Sequence, residues 1–436
     1  MQRDVKQGLE SDRKPGENTR NGWVAAVLLA ERWLARADRV DTLLEGLPSA
    51  LAGQERARAQ HLFFGVVRWA SRIEAAVDGL MARPPRTKVR AVLAVAGFEL
   101  LEGGPGLMAK VIHHAVERAK STASPQEAGL INAVLRKMAP RLAERPSTLA
   151  AELAHPAWLV ERWIGQFGAA ATRDLLEWNQ RPAAVFARWR RPEAPPDFLV
   201  PSGWNGFHEI KAGHWVEIRR LAAEGALYLQ DPSTRLAVEL LAPQAGELIL
   251  DACAAPGGKA LYLADLMQTG RLVALDLPAV PGETDKRLGR LKENLSHAPP
   301  GVDVALVEAD LVKVGTAFYR NLNLPEAYDA VLVDAPCSNT GVMRHRVDVK
   351  WRLQAGDFAQ HAEQQRALLQ AAARLVRPGG RLVYSTCSID AAENDDVSRR
   401  FLSSPAGAAW RLERRVQALP WIDRHDGAGV FLFRRA

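Results

Sequence analysis

From Gly246 onward the hydrophobic period of the chain changes, and short, nearly continuous apolar runs alternate with longer stretches of helical spacing. The apolar runs fall at residues 247–250, 271–275, 302–307, 330–333 and 381–384, and the helical stretches at 260–267, 286–295 and 358–376. Strands apolar on both faces and separated by helices require a parallel sheet covered on both sides, so the spacing predicts a doubly wound α/β domain. In such a sheet ligands bind beyond the carboxyl ends of the strands. Asp251, Asp276, Asp310, Asp334 and Cys387 each follow one of these runs, which places them along one edge.

Upstream the pattern is helical. Trp23, Val27, Ala30 and Leu34 share one face, as do Val92, Val95, Ala96 and Leu100, with breakers at Pro84-Pro85 and Gly103-Gly104-Pro105. An all-α bundle is expected over residues 21–145. It is followed by a helical and mixed linker over 146–225, with a helical pattern at 158–178 and a proline- and tryptophan-rich tract at 181–201. The α/β domain is expected over 226–436. Residues 1–20 mix both charges with no apolar run and read as a disordered tail, not a signal peptide. No run is long enough to cross a bilayer.

The charge is uneven. Residues 1–150 hold 23 Lys and Arg against 16 Asp and Glu, a surplus equal to the net charge of +7 of the whole chain. A basic helical part suits a polyanion, RNA above all, or is simply a solvated basic surface. The three cysteines, Cys253, Cys337 and Cys387, include no CxxC and have no paired histidines nearby. That argues against a disulfide framework and against a metal site, and fits a reducing cytoplasm.

The run Asp251-Ala-Cys-Ala-Ala-Pro-Gly-Gly-Lys259 is a strand end, a small-residue loop and a helix start. Gly257 and Gly258 let backbone amides approach a ligand near the positive helix end. The run matches neither G-x-G-x-x-G nor a P-loop, which disfavours a dinucleotide or ATP. Asp276, at the end of the second run, is placed to accept from both hydroxyls of a ribose or to serve as a turn acid. A nucleoside cofactor without a polyphosphate fits, and S-adenosylmethionine is the natural candidate. Cys337 and Cys387, after the fourth and fifth runs, are either inert buried thiols or nucleophiles. A thiolate adding to C6 of cytosine would make C5 reactive towards a sulfonium methyl.

Tyr228-Leu-Gln-Asp-Pro-Ser-Thr234, Asp251 to Lys259, Asp334-Ala-Pro-Cys-Ser-Asn-Thr-Gly341 and Ser385-Thr-Cys-Ser-Ile389 together resemble the RNA cytosine-5 methyltransferases. Ile112-His-His-Ala-Val-Glu-Arg-Ala-Lys120 and Ile131-Asn-Ala-Val-Leu-Arg136 resemble the NusB-like RNA-binding domain. The combination is typical of the Sun/Fmu (RsmB-type) methyltransferases of bacterial 16S rRNA. The resemblance implies Cys387 as nucleophile and Cys337 as the thiol that assists product release. It also implies a cofactor site formed by Cys253, Ala254, Ala255, Pro256, Gly257, Gly258, Lys259, Asp276, Asp310 and Asp334, with Asp334 facing the cytosine edge as well. Basic residues of the bundle and Arg188-Trp-Arg-Arg191 are expected to contact RNA. Another rRNA or a tRNA is the alternative substrate, and a non-catalytic RNA-binding assembly factor is the alternative from another class. Asn339 stands where that family usually has glycine, Arg344-His-Arg-Val-Asp348 replaces its His-Pro-Asp, and extra residues at 277–285 are expected to form a loop.

Overall fold

The computed structural model describes residues 21–36, 38–120, 124–279 and 286–436. The expected tail over 1–20, and residues 280–285 of the expected loop, lie outside the described residues. Two compact units emerge. One runs to Glu161 and also contains Arg346–Arg352; the other comprises Arg162–His345 and Leu353–Ala436.

The first unit is helical. Its centre is Thr87–Gly103, in which every residue from Ala91 to Phe98 is buried, as befits a helix apolar on all sides. Gly22–Arg36, Gly53–Arg68, Met108–Lys120 and Pro125–Ala143 pack around it. Close approach is written into the sequence at Gly65, where a Cβ would overlap the Phe98 ring. Ser124-Pro-Gln-Glu127 starts its helix with a capping box: the Glu127 amide donates to Ser124 Oγ at 3.3 Å, and the Ser124 amide to Glu127 Oε2 at 2.9 Å.

The last carbonyls of Gly53–Arg68, which lack partners within the helix, are capped by residues nearly three hundred positions away in sequence. Lys350 Nζ donates to the Arg68 carbonyl at 2.8 Å and Trp351 Nε1 to the Val67 carbonyl at 2.7 Å. Val347 is buried in the same helical core. Burial, then the neighbouring Arg68, holds the Lys350 ammonium well below the usual lysine range.

The second unit contains two sheets. Strands β1 (Phe186–Trp189), β2 (Leu199–Pro201), β3 (Phe207–Ile210) and β4 (Leu227–Leu229) form a small antiparallel sheet ordered β2-β3-β1-β4. Strands β5 (Leu248–Asp251), β6 (Gly270–Asp276), β7 (Val302–Glu308), β8 (Tyr328–Asp334), β9 (Val376–Thr386), β10 (Trp410–Ala418) and β11 (Ala428–Arg435) form the large one, ordered β10-β11-β9-β8-β5-β6-β7. β5 to β9 pair in parallel, whereas β9-β11 and β11-β10 pair antiparallel. Helices Gly258–Met267, Lys286–Leu295 and Asp357–Arg374 lie where helices are expected. The sheet is sandwiched between two apolar layers, one containing Leu261 and Leu272 and the other Val331, Leu369 and Phe431. Among the described residues no helix is long and apolar enough to cross a membrane.

Three details depart from the sequence reading. Val376 opens β9 instead of closing the preceding helix. The helical pattern at 158–178 is two helices, Ala157–Phe167 and Ala169–Gln180, separated by Gly168 at φ 83°. The proline- and tryptophan-rich tract contributes β1 and β2 to the small sheet.

Candidate active site

β5 lies between β6 and β8, so the chain leaves it in opposite directions and a crevice opens at the carboxyl ends. Asp251, Asp276 and Asp334 close β5, β6 and β8, Asp310 lies two residues past β7, and Cys387 directly follows β9. The loop after β5 is fastened to its neighbours: the Ala252 amide donates to the Leu332 carbonyl at 2.8 Å and the Ala254 amide to that of Leu275 at 3.0 Å. Gly257, at φ 106°, turns the chain into the helix Gly258–Met267. A Cβ at Gly258 would stand 2.8 Å from the Tyr228 ring, so this glycine admits an aromatic wall.

The crevice holds a cavity of about 250 Å³. Of the residues expected at the cofactor, Cys253, Ala254, Ala255, Pro256, Gly258, Lys259 and Asp334 line it, together with Tyr228, Gln230, Asp231, Thr234 and Asp251. Gly257 supplies the turn behind it. Asp276 stands outside the lining, and its carboxylate accepts from the Ala255 and Leu277 amides, both at 2.8 Å, tying the loop to β6. Asp310 is likewise outside, paired with Lys313 at 2.9 Å, whose hydrogen bond holds its carboxyl below the usual range.

The cavity wall is electrostatically tense. Asp251 is 1% exposed, and among the described residues its carboxylate oxygens make no well-formed hydrogen bond, the nearby Cys253 amide being the weakest of the influences on it. Burial first, and then repulsion from Asp334, pushes its carboxyl up to about 8. Lys259 Nζ donates to Asp334 Oδ2 at 2.7 Å, and Asp334 Oδ1 accepts from Ser385 Oγ at 2.8 Å. Burial alone would lower the Lys259 ammonium, but Asp334, with smaller help from Cys387 and Asp251, raises it, so the lysine is a fixed cation. Cys253 is pushed well up by burial and by Asp276, Asp251 and Asp334, which makes it an inert thiol of the loop.

The other two thiols meet. Cys337 Sγ and Cys387 Sγ are 3.1 Å apart; Cys337 is buried and Cys387 half-buried. The contact with Cys387, and then burial, raises the Cys337 thiol well above the ordinary value. Asn339, at φ 60°, donates from Nδ2 to the Cys337 carbonyl at 2.8 Å, and its Oδ1 accepts from Cys387 Sγ at 3.3 Å. A buried polar frame fixes both loops. Glu393 accepts from the Ser338 amide at 2.8 Å and from its hydroxyl, while Gln365 Nε2 reaches the Pro336 carbonyl at 2.9 Å. The Gly341 amide donates to the Cys387 carbonyl at 2.9 Å, and a Cβ at Gly341 would stand 2.7 Å from that oxygen. Arg162 grips Asp390 with two bonds of 2.6 and 2.7 Å.

Sequence reasoning missed this frame, because its members act through distant contacts and no local spacing announces them. Tyr228, Gln230, Asp231 and Thr234 fall in a run whose role the spacing does not disclose. Arg188 and Arg190 correct an expectation. Both guanidinium groups are buried on Asp265, at 2.6 and 2.7 Å, and Arg188 also lies over the Tyr262 ring, so neither is available to RNA.

Asp231, His345 and Asp426 cluster within 4.8 Å. Both ring nitrogens of His345 are engaged, Nδ1 with Asp426 Oδ1 at 3.0 Å and Nε2 with the Ala184 carbonyl at 3.2 Å, which requires an imidazolium. Burial opposes the charge, but Asp426, Asp231 and the Ala184 carbonyl bring it up to about 9.

Comparison with known proteins agrees with this geometry. Residues 238–418 match the family described as 16S rRNA methyltransferase RsmB/F, and residues 25–140 match the NusB family. The chain is 33% identical over 407 residues to the ribosomal RNA small subunit methyltransferase B of Salmonella paratyphi B, covering 88% of this chain and 90% of that protein. The protein of the same name from Salmonella typhi is equally similar. In fold, the chain resembles the crystal structure of PH0851, with a TM-score of 0.75 at 23% identity over 95% of this chain and 99% of that one. A methyltransferase homolog protein from Pyrococcus horikoshii matches with a TM-score of 0.54 at 21% identity, over 66% of this chain and 98% of that one. The chain belongs to the RsmB/F family of 16S rRNA methyltransferases, with a NusB-family helical part ahead of the α/β part.

Proposed function

We propose that this protein methylates C5 of a cytidine in 16S rRNA, with S-adenosylmethionine as donor and Cys387 as the nucleophile that activates the base. The observation that carries this reading is the pair of thiols, 3.1 Å apart on adjacent strand ends, next to a cavity walled by Asp251, Lys259 and Asp334. The cavity residues fit the donor. A buried Asp251 without a well-formed hydrogen bond suits a ligand that brings its own N–H groups and positive charge, and the small-residue loop leaves room for it. When bound, S-adenosylmethionine supplies an electrophilic methyl carbon.

C5 of cytosine is a weak nucleophile in the intact ring. The Cys387 thiol passes its proton to water and its sulfur bonds to C6, breaking the C5–C6 double bond so that electron density moves to C5 and makes it the attacking carbon. With the donor bound, C5 takes the methyl group as the methyl–sulfur bond breaks; the C5 proton then passes to a base and the C6–S bond breaks, which restores the ring double bond and returns Cys387 as a thiolate. Cys337, kept protonated by its surroundings, is suited to donate a hydrogen bond to the departing sulfur. Asp334, on the same edge, serves the cytosine amino group as acceptor. C6 is reached from the face of the ring, so the target is unstacked, in single-stranded or flipped RNA. The basic surplus of the helical part supports its hold on the phosphate backbone.

Each thiol leaves a different product when removed. Cys337→Ala is expected to methylate once and stall as a covalent protein–RNA adduct, seen on a denaturing gel as a slow band carrying labelled RNA. Cys387→Ala and the double variant are expected to give no such band and no methyl transfer. An adduct in Cys387→Ala with none in Cys337→Ala would reverse the two roles.

A further inference from the structure

The charged groups beside the thiol loops do not all cancel. The Gly341 amide donates to the Cys387 carbonyl at 2.9 Å and the Gly427 amide to the Gly341 carbonyl at 2.8 Å, so the strip Arg424–Gly427 is bonded to the Cys387 loop through one intervening residue. Arg424 opens this strip as the cap of the short helix Pro420–Asp423, with φ at 63° and its amide on the Pro420 carbonyl at 3.1 Å. Its guanidinium lies 5.8 Å from the centre of the Trp178 ring, and that of Arg344 lies over the same ring at 4.0 Å. Trp178 is buried near the end of helix Ala169–Gln180, and Arg181 directly follows that helix. Arg344 donates to the Pro182 carbonyl at 2.6 Å and is close enough to Arg181 to feel its charge. Three arginines thus gather around one indole.

The acidic groups of this neighbourhood are engaged elsewhere. Asp426, Asp231 and Glu209 act on Arg344, and Asp426 also holds His345. Asp231 accepts from the Ser233 and Asp426 amides, Asp423 accepts from the Leu419 amide, and Glu177 faces Arg173 at 3.6 Å. Arg181 and Arg424 are exposed, and neither meets a carboxylate among the described residues. Other arginines of this unit are neutralised, Arg162 by Asp390 and both Arg188 and Arg190 by Asp265. Like charges gathered without a counter-ion repel one another, and an anion placed among them relieves that repulsion. Stacking on Trp178 fixes the plane of a guanidinium and leaves its N–H edge for an oxyanion.

We propose that Arg181 and Arg424, with Arg344 on the same indole, form a clamp for the RNA phosphates that flank the target nucleotide. The proposal rests on the reading of RNA as substrate and of Cys387 as the residue that meets its base. Arg424 stands three residues before Gly427, a stretch of chain that spans at most about 11 Å, so the clamp lies within a short reach of the Cys387 loop. A nucleotide turned out of its stack to meet Cys387 brings its own two phosphates with it. Contacts to those phosphates set register and orientation and read no sequence. The α/β unit therefore holds the RNA by itself at the reacting nucleotide, through residues other than the Arg188-Trp-Arg-Arg191 stretch.

The test is retention of a labelled, unmodified 16S rRNA transcript on filters by the full-length protein, over a series of salt concentrations. Arg181→Gln and Arg424→Gln keep side chains of similar reach and remove the charge. Each is expected to weaken binding about fivefold, the upper end for an exposed ion pair, and to make the slope of log affinity against log salt shallower by about 0.7. Arg424→Lys keeps the charge and is expected to restore the slope, which a merely loosened loop would not do. Arg374→Gln is the control: it makes the same change in net charge at an exposed position two residues before β9, the opposite edge of the sheet from Cys387, and is expected to change neither affinity nor slope. Clamp variants that behave like the control, or an Arg424→Lys protein as weak as Arg424→Gln, overturn the proposal. An unaltered protein that retains no transcript overturns it together with the reading of RNA as substrate. The measurement leaves both thiols intact, so it can fail while the adduct test still identifies Cys387 as nucleophile, and the reverse.

Discussion

Asp251 ends β5 with a carboxyl held near 8 by burial and by Asp334, whereas in the unfolded chain it titrates near 4. Between those values the folded protein keeps a proton that the unfolded chain has lost, so this residue makes stability fall as pH rises from about 4 to about 8. Asp251→Asn cannot titrate. Its urea midpoint is expected to fall less than that of the unaltered protein between pH 5 and pH 8, and equal slopes would show that Asp251 does not hold the proton. At this scale the sequence is informative about position and silent about support. Aspartates and cysteines after apolar runs announce strand ends, so the pattern of those runs is enough to place Asp334, Cys337 and Cys387. Glu393, Gln365 and Arg162, which hold the thiol loops, lie in ordinary helical or polar context, and their partners are far away in the chain. Asp276 admits two readings from its position, a ribose acceptor or a turn acid, and its two amide bonds give it the second task whatever else it does.

Among the elements, β5 to β9 are legible because a strand buried on both faces is a plain apolar run. β10 is not: from Arg411 to Arg415 it is exposed and four of its five residues are charged, the composition of a sheet edge guarded against further pairing. Strands β1 to β4 are three or four residues long and leave almost no period to detect. The segment after the Cys337 loop is tied to the residues before β11 by His345 and Asp426. Because the imidazolium of His345 is held to about 9, against near 6.5 when unfolded, its contribution is complete below about pH 6.5 and is lost as pH rises through about 9. His345→Gln is expected to flatten the dependence of the melting temperature on pH between 7 and 9.5. An unchanged profile would mean that the cluster does not titrate with folding.

For the molecule as a whole, the division into two units falls after Glu161, well ahead of the change of hydrophobic period at Gly246, and the passage of Arg346–Arg352 into the helical unit does not follow from any local pattern either. Val347 sits in the helical core while Lys350 and Trp351 cap Gly53–Arg68. Val347→Ala is expected to destabilise that unit by about 1–3 kcal/mol. Hydrogen exchange should quicken in Gly53–Arg68 and Thr87–Gly103 more than in β5 and β8; uniform acceleration would contradict this.

The same segment bears on how the protein is made. A ribosome that has finished the helical unit at Glu161 still has to add roughly 190 residues before Arg352 emerges, on the order of 10–40 s at bacterial-like rates of roughly 5–20 residues per second. For that interval the nascent bundle lacks Val347, and the end of Gly53–Arg68 lacks its two side-chain caps. The part of the protein synthesised first is therefore completed late, by a piece of chain that the ribosome delivers only after the Cys337 loop.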